Sequence, residues 1–123
     1  MVFDLFKSRR RARLRASPTP PEWRAILERN LSIFSRLSAA DQSELLGHTA
    51  VFLAEKHFEG AGGLELTDEI RVTIAGQACL LLLHRETDYY PELISIIVYP
   101  SGYTAREDRH IGGGIWEEGE EDR

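Results

Sequence analysis

Hydrophobic residues recur with a helical period in three parts of the chain and with a period of two in a fourth. Trp23, Ile26 and Leu27 lie three and four apart, which predicts a helix from Pro21 to about Asn30. Proline suits the first position of a helix, where its missing N–H costs nothing. Leu31, Phe34 and Leu37 continue as a short helical turn. Ser38 then caps a longer helix, with Asp41 near its positive end, and Leu45, Leu46, Thr49, Phe52 and Leu53 carry the period to about Lys56. Phe58-Glu59 reads as a short extended piece, and Gly60-Ala61-Gly62-Gly63 as a turn that permits positive φ.

Thr67 is a good N-cap, with Asp68 and Glu69 in the first turn of the helix that follows, to about His84. That helix is apolar over most of its circumference, from Ile70 through Leu83. Such a helix is central and needs cover on several sides, more than a thin domain provides. Leu93 to Tyr99 alternates as a strand, with Ile94, Ile96 and Val98 on one face and Leu93, Ser95, Ile97 and Tyr99 on the other. Its partners are expected in Phe58-Glu59, in Tyr103 to Glu107, or outside this chain, because one strand makes no sheet. The pattern predicts an α+β protein, with several helices on a small sheet.

Three regions follow. Residues 1–20 form a basic leader and a stiff, extended Pro-rich linker, Ser17-Pro18-Thr19-Pro20-Pro21, so the packed part is expected to start at Pro21. Residues 21–110 form the α+β domain. Residues 111–123 form a Gly-rich and acidic tail. At 123 residues and 42% hydrophobic, the chain suits one domain with a modest core.

Charge divides the same way. The net charge is -5, yet Lys7, Arg9, Arg10, Arg11, Arg13 and Arg15 face only Asp4 in the first fifteen residues. An acidic body behind a basic arm argues against specific nucleic-acid binding by the whole chain, since the body repels phosphate. Phe3, Leu5 and Phe6 beside those cations suit weak contact with an anionic membrane surface; loose RNA contact or solubility are the other readings. The longest apolar run, Ala78 to Leu83, is six residues, far short of the roughly 20 a spanning helix needs. The order of apolar and basic residues at the amino terminus is the reverse of a secretory signal, so a cytoplasmic location is expected. Cys79 is the one cysteine; it excludes an internal disulfide and reads as a small buried residue.

Few motifs carry chemistry. A zinc peptidase usually needs two histidines four apart on a helix with a glutamate beside the first. His48, His57, His84 and His110 include no such pair. Each is expected in a surface or capping role, His84 near a helix carboxyl end and His48 in a weak surface pair with Glu44. The glycine run lacks the spacing of a phosphate-binding loop, and Asp68 and Glu69 repel phosphate there. No Gly-x-Ser-x-Gly elbow occurs. Glu117, Glu118, Glu120, Glu121 and Asp122 lack calcium-loop spacing. No residue of this chain is therefore assigned as catalytic, cofactor-binding or metal-binding.

Ordered segments nevertheless carry a resemblance. They are the Arg-rich start, Pro21-Glu22-Trp23-Arg24, Phe52-Leu53-Ala54-Glu55-Lys56, Phe58-Glu59-Gly60, Gly63-Leu64-Glu65-Leu66-Thr67-Asp68, Ile74-Ala75-x-Gln77-Ala78-Cys79-Leu80-Leu81-Leu82 and Ser95-Ile96-Ile97-Val98-Tyr99-Pro100. Gly114-Ile115-Trp116-Glu117-Glu118-Gly119, preceded by Gly113, resembles a Gly-x-x-Trp-x-x-Gly segment, after which Glu120-Glu121-Asp122-Arg123 breaks the pattern. The order resembles the amino-terminal half of the Mlc titration factor A family of zinc-dependent peptidases. The resemblance implies a zincin-like fold and hydrolysis of a peptide or protein substrate by zinc-activated water. It implies zinc in the full-length family, on a later His-Glu-x-x-His helix, and none bound by this chain, which is expected to be inactive alone. A transcriptional repressor, Mlc, is the implied partner of a non-catalytic binding module, the alternative reading.

Overall fold

The computed structural model describes the backbone of residues 2–100 and 105–107, and the side chains of residues 5–100. The acidic tail, His110, the Gly112 to Gly114 run and the Trp116 segment lie outside the described residues. Among the described residues, four helices, α1 (Val2–Ala16), α2 (Pro21–Asn30), α3 (Ala39–Glu55) and α4 (Asp68–Leu80), accompany three short strands, β1 (His57–Gly60), β2 (Ser95–Val98) and β3 (Ala105–Glu107). The class is α+β. A 3-10 turn, Ser32–Arg36, joins α2 to α3.

The capping residues act as their chemistry dictates. Ser38 Oγ accepts the Asp41 N–H at 3.1 Å, and Thr67 Oγ1 accepts the Ile70 N–H at 3.2 Å. α2 starts at Pro21 with no side-chain cap, since proline itself fixes the first turn. α4 stops at Leu80, earlier than the apolar pattern suggests. Leu82 N–H turns back to Cys79 O at 2.8 Å, and His84 takes a φ of 67° that no helix continues through.

β2 lies between β1 and β3. It pairs parallel with β1, Phe58 opposite Ile96, and antiparallel with β3, Ile97 opposite Arg106. Both partners anticipated within the chain are therefore used. α4 is the crossover between the parallel strands, and Gly62 and Gly63 turn the chain toward it at φ 61° and 79°. Ile96 and Val98 are buried, but Ile94 does not join them: it is 69% exposed, because regular pairing begins only at Ser95.

The core is closed by this chain's own residues. Leu27, Phe34, Phe52, Val72, Ala75 and Cys79 are each fully buried. α4 packs on α3 and on α2, which come close where Gly76 faces Leu27. The cover this helix needs is thus supplied for most of α4 by α2 and α3; Leu81, just past its end, stays exposed. The packed body also starts before Pro21. α1 lies along α3, and Arg11 is buried there, so the basic leader is a docked helix and only the segment around Pro18 to Pro20 is a linker.

Candidate functional site

Lys7, Arg11 and Arg15 are spaced four apart on α1, which puts them on one face of the helix. That face looks across to the loop from Arg85 to Tyr89, between α4 and β2. A cavity of about 640 Å³ lies between them, with His48 of α3 on its wall.

Arg11 fixes the arrangement. Its Nε and one terminal nitrogen each donate to the Glu55 carboxylate at 2.8 Å, and the other terminal nitrogen donates to Asp88 Oδ1 at 2.7 Å. The guanidinium also lies 4.8 Å from the centroid of the Tyr89 ring. Hydrogen bonds from Arg11 hold both the Glu55 and the Asp88 carboxyls below the usual range, against a smaller opposing effect of burial. In return Glu55 secures the charge on Arg11.

Tyr89 is fully buried at a φ of 58°, and Tyr90 beside it has a φ of 55°. Two consecutive left-handed residues cost energy that surrounding contacts must offset. Those contacts are present: Tyr89 N–H donates to Thr87 Oγ1 at 2.9 Å, and Tyr90 O–H to Ala78 O at 2.8 Å. The Tyr89 hydroxyl accepts from Arg15 at 3.0 Å and lies 2.6 Å from His48 Nδ1. His48 Nε2 is 3.0 Å from Glu44 Oε2. The carboxylate only accepts, so it assigns the ring proton to Nε2 and leaves Nδ1 to accept the tyrosine proton. Burial lowers the His48 pKa from its ordinary 6.5, outweighing Glu44, and burial raises that of Tyr89. The set is a hydrogen-bonded chain that is satisfied at neutral pH.

This corrects the expectation for His48. It is buried, only 5% exposed, and its pairing with Glu44 is part of an internal network. The spacing of Glu44 and His48 was visible in the sequence; the partner Tyr89, 41 residues away, was not. His57 stays on the surface, its side chain 66% exposed. His84 is also exposed, four residues past the end of α4, and its Nε2 lies 3.0 Å from Asp41 Oδ1. Cys79 is buried, and burial pushes its thiol pKa up, away from nucleophilic use.

A catalytic zinc of the kind the resemblance implies needs three protein ligands around an open position. Asp41, Glu44 and His84 bring one ligand atom each within 4.8 Å of one another. Those atoms already serve one another and the backbone: His84 N–H donates to Glu44 Oε2 at 2.9 Å, and the His84 ring faces Asp41. The trio supplies one histidine, and His48 turns its acceptor nitrogen to Tyr89. The described residues do not fit a catalytic zinc centre.

Comparison with known proteins agrees with the ordered segments. Residues 5–123 match the family described as glucose-regulated metallo-peptidase M90. An uncharacterized protein of Synechocystis sp. is 39% identical over 101 residues, which are 82% of this chain. The chain spans 37% of that relative's length. No solved structure matches. With the match running from α1 through β3 and beyond, the chain belongs to the glucose-regulated metallo-peptidase M90 family, that of Mlc titration factor A.

Proposed function

We propose that this chain forms the amino-terminal scaffold of a zinc-dependent peptidase with a zincin-like fold. Zinc and the general base come from a later His-Glu-x-x-His helix in the longer family protein, and this chain is inactive alone. The family match over residues 5–123, in a chain spanning 37% of a relative, is the observation that carries this reading. A sequence without two histidines four apart agrees with it. When bound, zinc supplies an activated water for peptide hydrolysis. The role of the present residues is to hold the sheet and its flanking helices in place, with β2 in the sheet that flanks the active-site cleft of the longer family protein. The purified chain should show no zinc-dependent peptide cleavage, while a longer family member carrying the motif should cleave and lose activity on removal of zinc. Zinc-dependent cleavage by the 123-residue chain overturns this reading.

A second reading is supported by the closed core. A chain that buries Leu27, Phe34, Phe52 and Val72 among its own residues has the packing of a domain able to fold by itself. Such a domain suits a non-catalytic module that grips a regulatory protein, with the repressor Mlc as the implied partner. Titration of the purified repressor with the chain tests it, and absence of binding removes it. No helix among the described residues is long and apolar enough to cross a membrane, in keeping with the cytoplasmic location proposed for either reading. Exposed Leu5 and Phe6 on basic α1 support weak contact with an anionic membrane surface. Sedimentation with anionic vesicles, with and without Phe6→Ser, tests that contact.

A further inference from the structure

We propose that the cavity between α1 and the Arg85 to Tyr89 loop binds a small organic phosphate. The argument begins with which charges are already used. Arg11 is consumed by Glu55 and Asp88, and Lys7 is drawn to Asp88 at 3.6 Å. Arg15 and Arg85 remain. Neither has a carboxylate within ion-pair distance among the described residues, and both are exposed at the cavity. Arg15 is nevertheless oriented, because one terminal nitrogen donates to the Tyr89 hydroxyl at 3.0 Å. Its other nitrogens are left to donate elsewhere.

Hydroxyl groups complete a donor set. Thr87 Oγ1 accepts the Tyr89 N–H, which leaves its own proton to donate. Ser8 lines the cavity from the α1 side. Two guanidinium groups with hydroxyl donors beside them are the chemistry that recognises a tetrahedral oxyanion. Among the described residues, Glu86 is the one lining carboxylate without a basic partner, and its charge opposes that of the two arginines. The volume of about 640 Å³ exceeds what an inorganic ion fills and falls in the range of small-molecule sites. The stem of Lys7, which lines the cavity, gives the organic part apolar surface to lie on.

The position is also supported from behind. The strained turn at Tyr89 is held by His48, Thr87 and Arg15 together, so the loop carrying Arg85 meets α1 at a fixed place. The remainder of the chain is acidic, with a net charge of -5 overall, and repels an anion, so binding here rests on the local guanidinium groups and not on diffuse attraction.

The test uses the 123-residue chain with phenyl phosphate and inorganic phosphate as probes, followed by calorimetric titration at constant ionic strength. Saturable binding of phenyl phosphate is expected, weakened at least about tenfold by Arg85→Gln and by Arg15→Gln. Arg29→Gln, which removes a cation engaged with Glu69 elsewhere, should leave it unchanged. Arg85 has no hydrogen-bond or ion-pair partner among the described residues, so Arg85→Gln tests the site without disturbing the core network. Three results overturn the proposal: no saturable binding by the folded chain, binding indifferent to Arg85→Gln, or equal binding of benzoate.

Discussion

The hydroxyl of Tyr89 and Nδ1 of His48 meet at 2.6 Å in the interior, 41 residues apart in sequence. The contact joins α3 to the loop that precedes β2, and it satisfies two buried polar groups at once. Tyr89→Phe keeps the ring and removes the hydroxyl. His48 Nδ1 then has no donor, and Arg15 loses its acceptor. A buried acceptor left alone costs about 1–3 kcal/mol. Urea denaturation should show a loss in that range, with the slope unchanged because the fold is kept. A variant as stable as the parent would show that water replaces the tyrosine there.

The same pair makes stability depend on pH. Burial depresses the His48 pKa below 6.5, so the unfolded chain takes up a proton there more readily than the folded one. The stabilisation is present above 6.5 and is lost as pH falls through the lower folded value. Glu44, Glu55 and Asp88 are also depressed, but from 4.5, 4.5 and 3.8, so their losses begin at lower pH. Between pH 6.5 and about 5 the decline should therefore follow His48. Thermal midpoints across that window should fall for the parent chain and stay level for His48→Gln. A parallel decline in both would assign the effect to other groups.

Much of the scaffold was legible because its signals are local. Ser38, Thr67 and Pro21 start helices through bonds or dihedrals within a few residues, and each does so here. Ile96 and Val98 mark the buried face of β2 by simple alternation. The candidate site was not legible for the opposite reason. Arg11 meets Glu55 and Asp88 across 44 and 77 residues, and nothing in its neighbourhood distinguishes it from Arg9 or Arg10. The one local clue is the spacing of Lys7, Arg11 and Arg15 on a single helical face. It becomes informative only once residues 2–16 are known to form a helix that docks. The end of α4 was missed because a run of leucines continues past it, and the left-handed His84 that stops it carries no glycine signal.

Helix contact explains why Gly76 stands in the middle of α4. A Cβ there would come within 2.5 Å of Leu27 Cδ2, and Leu27 is fully buried, with little room to yield. Alanine improves helix propensity by about 1 kcal/mol at an interior position. Overpacking a closed core costs typically about 1–3 kcal/mol. The clash should win, and Gly76→Ala should lower the thermal midpoint. Combining it with Leu27→Ala should recover part of that loss relative to Leu27→Ala alone, because the new methyl group fills space the leucine leaves. Without such coupling in the double mutant, the close approach of α2 and α4 would not be the cause.

The last prediction concerns whether α1 belongs to the folded body. Arg11 holds it there through a two-pronged bond to Glu55, whose side chain is 15% exposed, and through Asp88. Removing one partner of a buried pair costs about 3–5 kcal/mol, here toward the lower end because the pair is not wholly enclosed and Arg10 still lies 3.9 Å from the Glu55 carboxylate. Arg11→Ala should therefore destabilise the chain by about 3 kcal/mol in urea. Arg11→Lys keeps the charge but lacks the planar fork, and it should recover less than half of that loss. Exposed Arg9 serves as the control: Arg9→Ala should stay within about 0.5 kcal/mol of the parent. If Arg11→Ala and Arg9→Ala unfold together with the parent, α1 is an appendage to the domain. If only Arg11→Ala falls, the basic helix is part of the domain's structure, and its exposed cations are left for surface contacts.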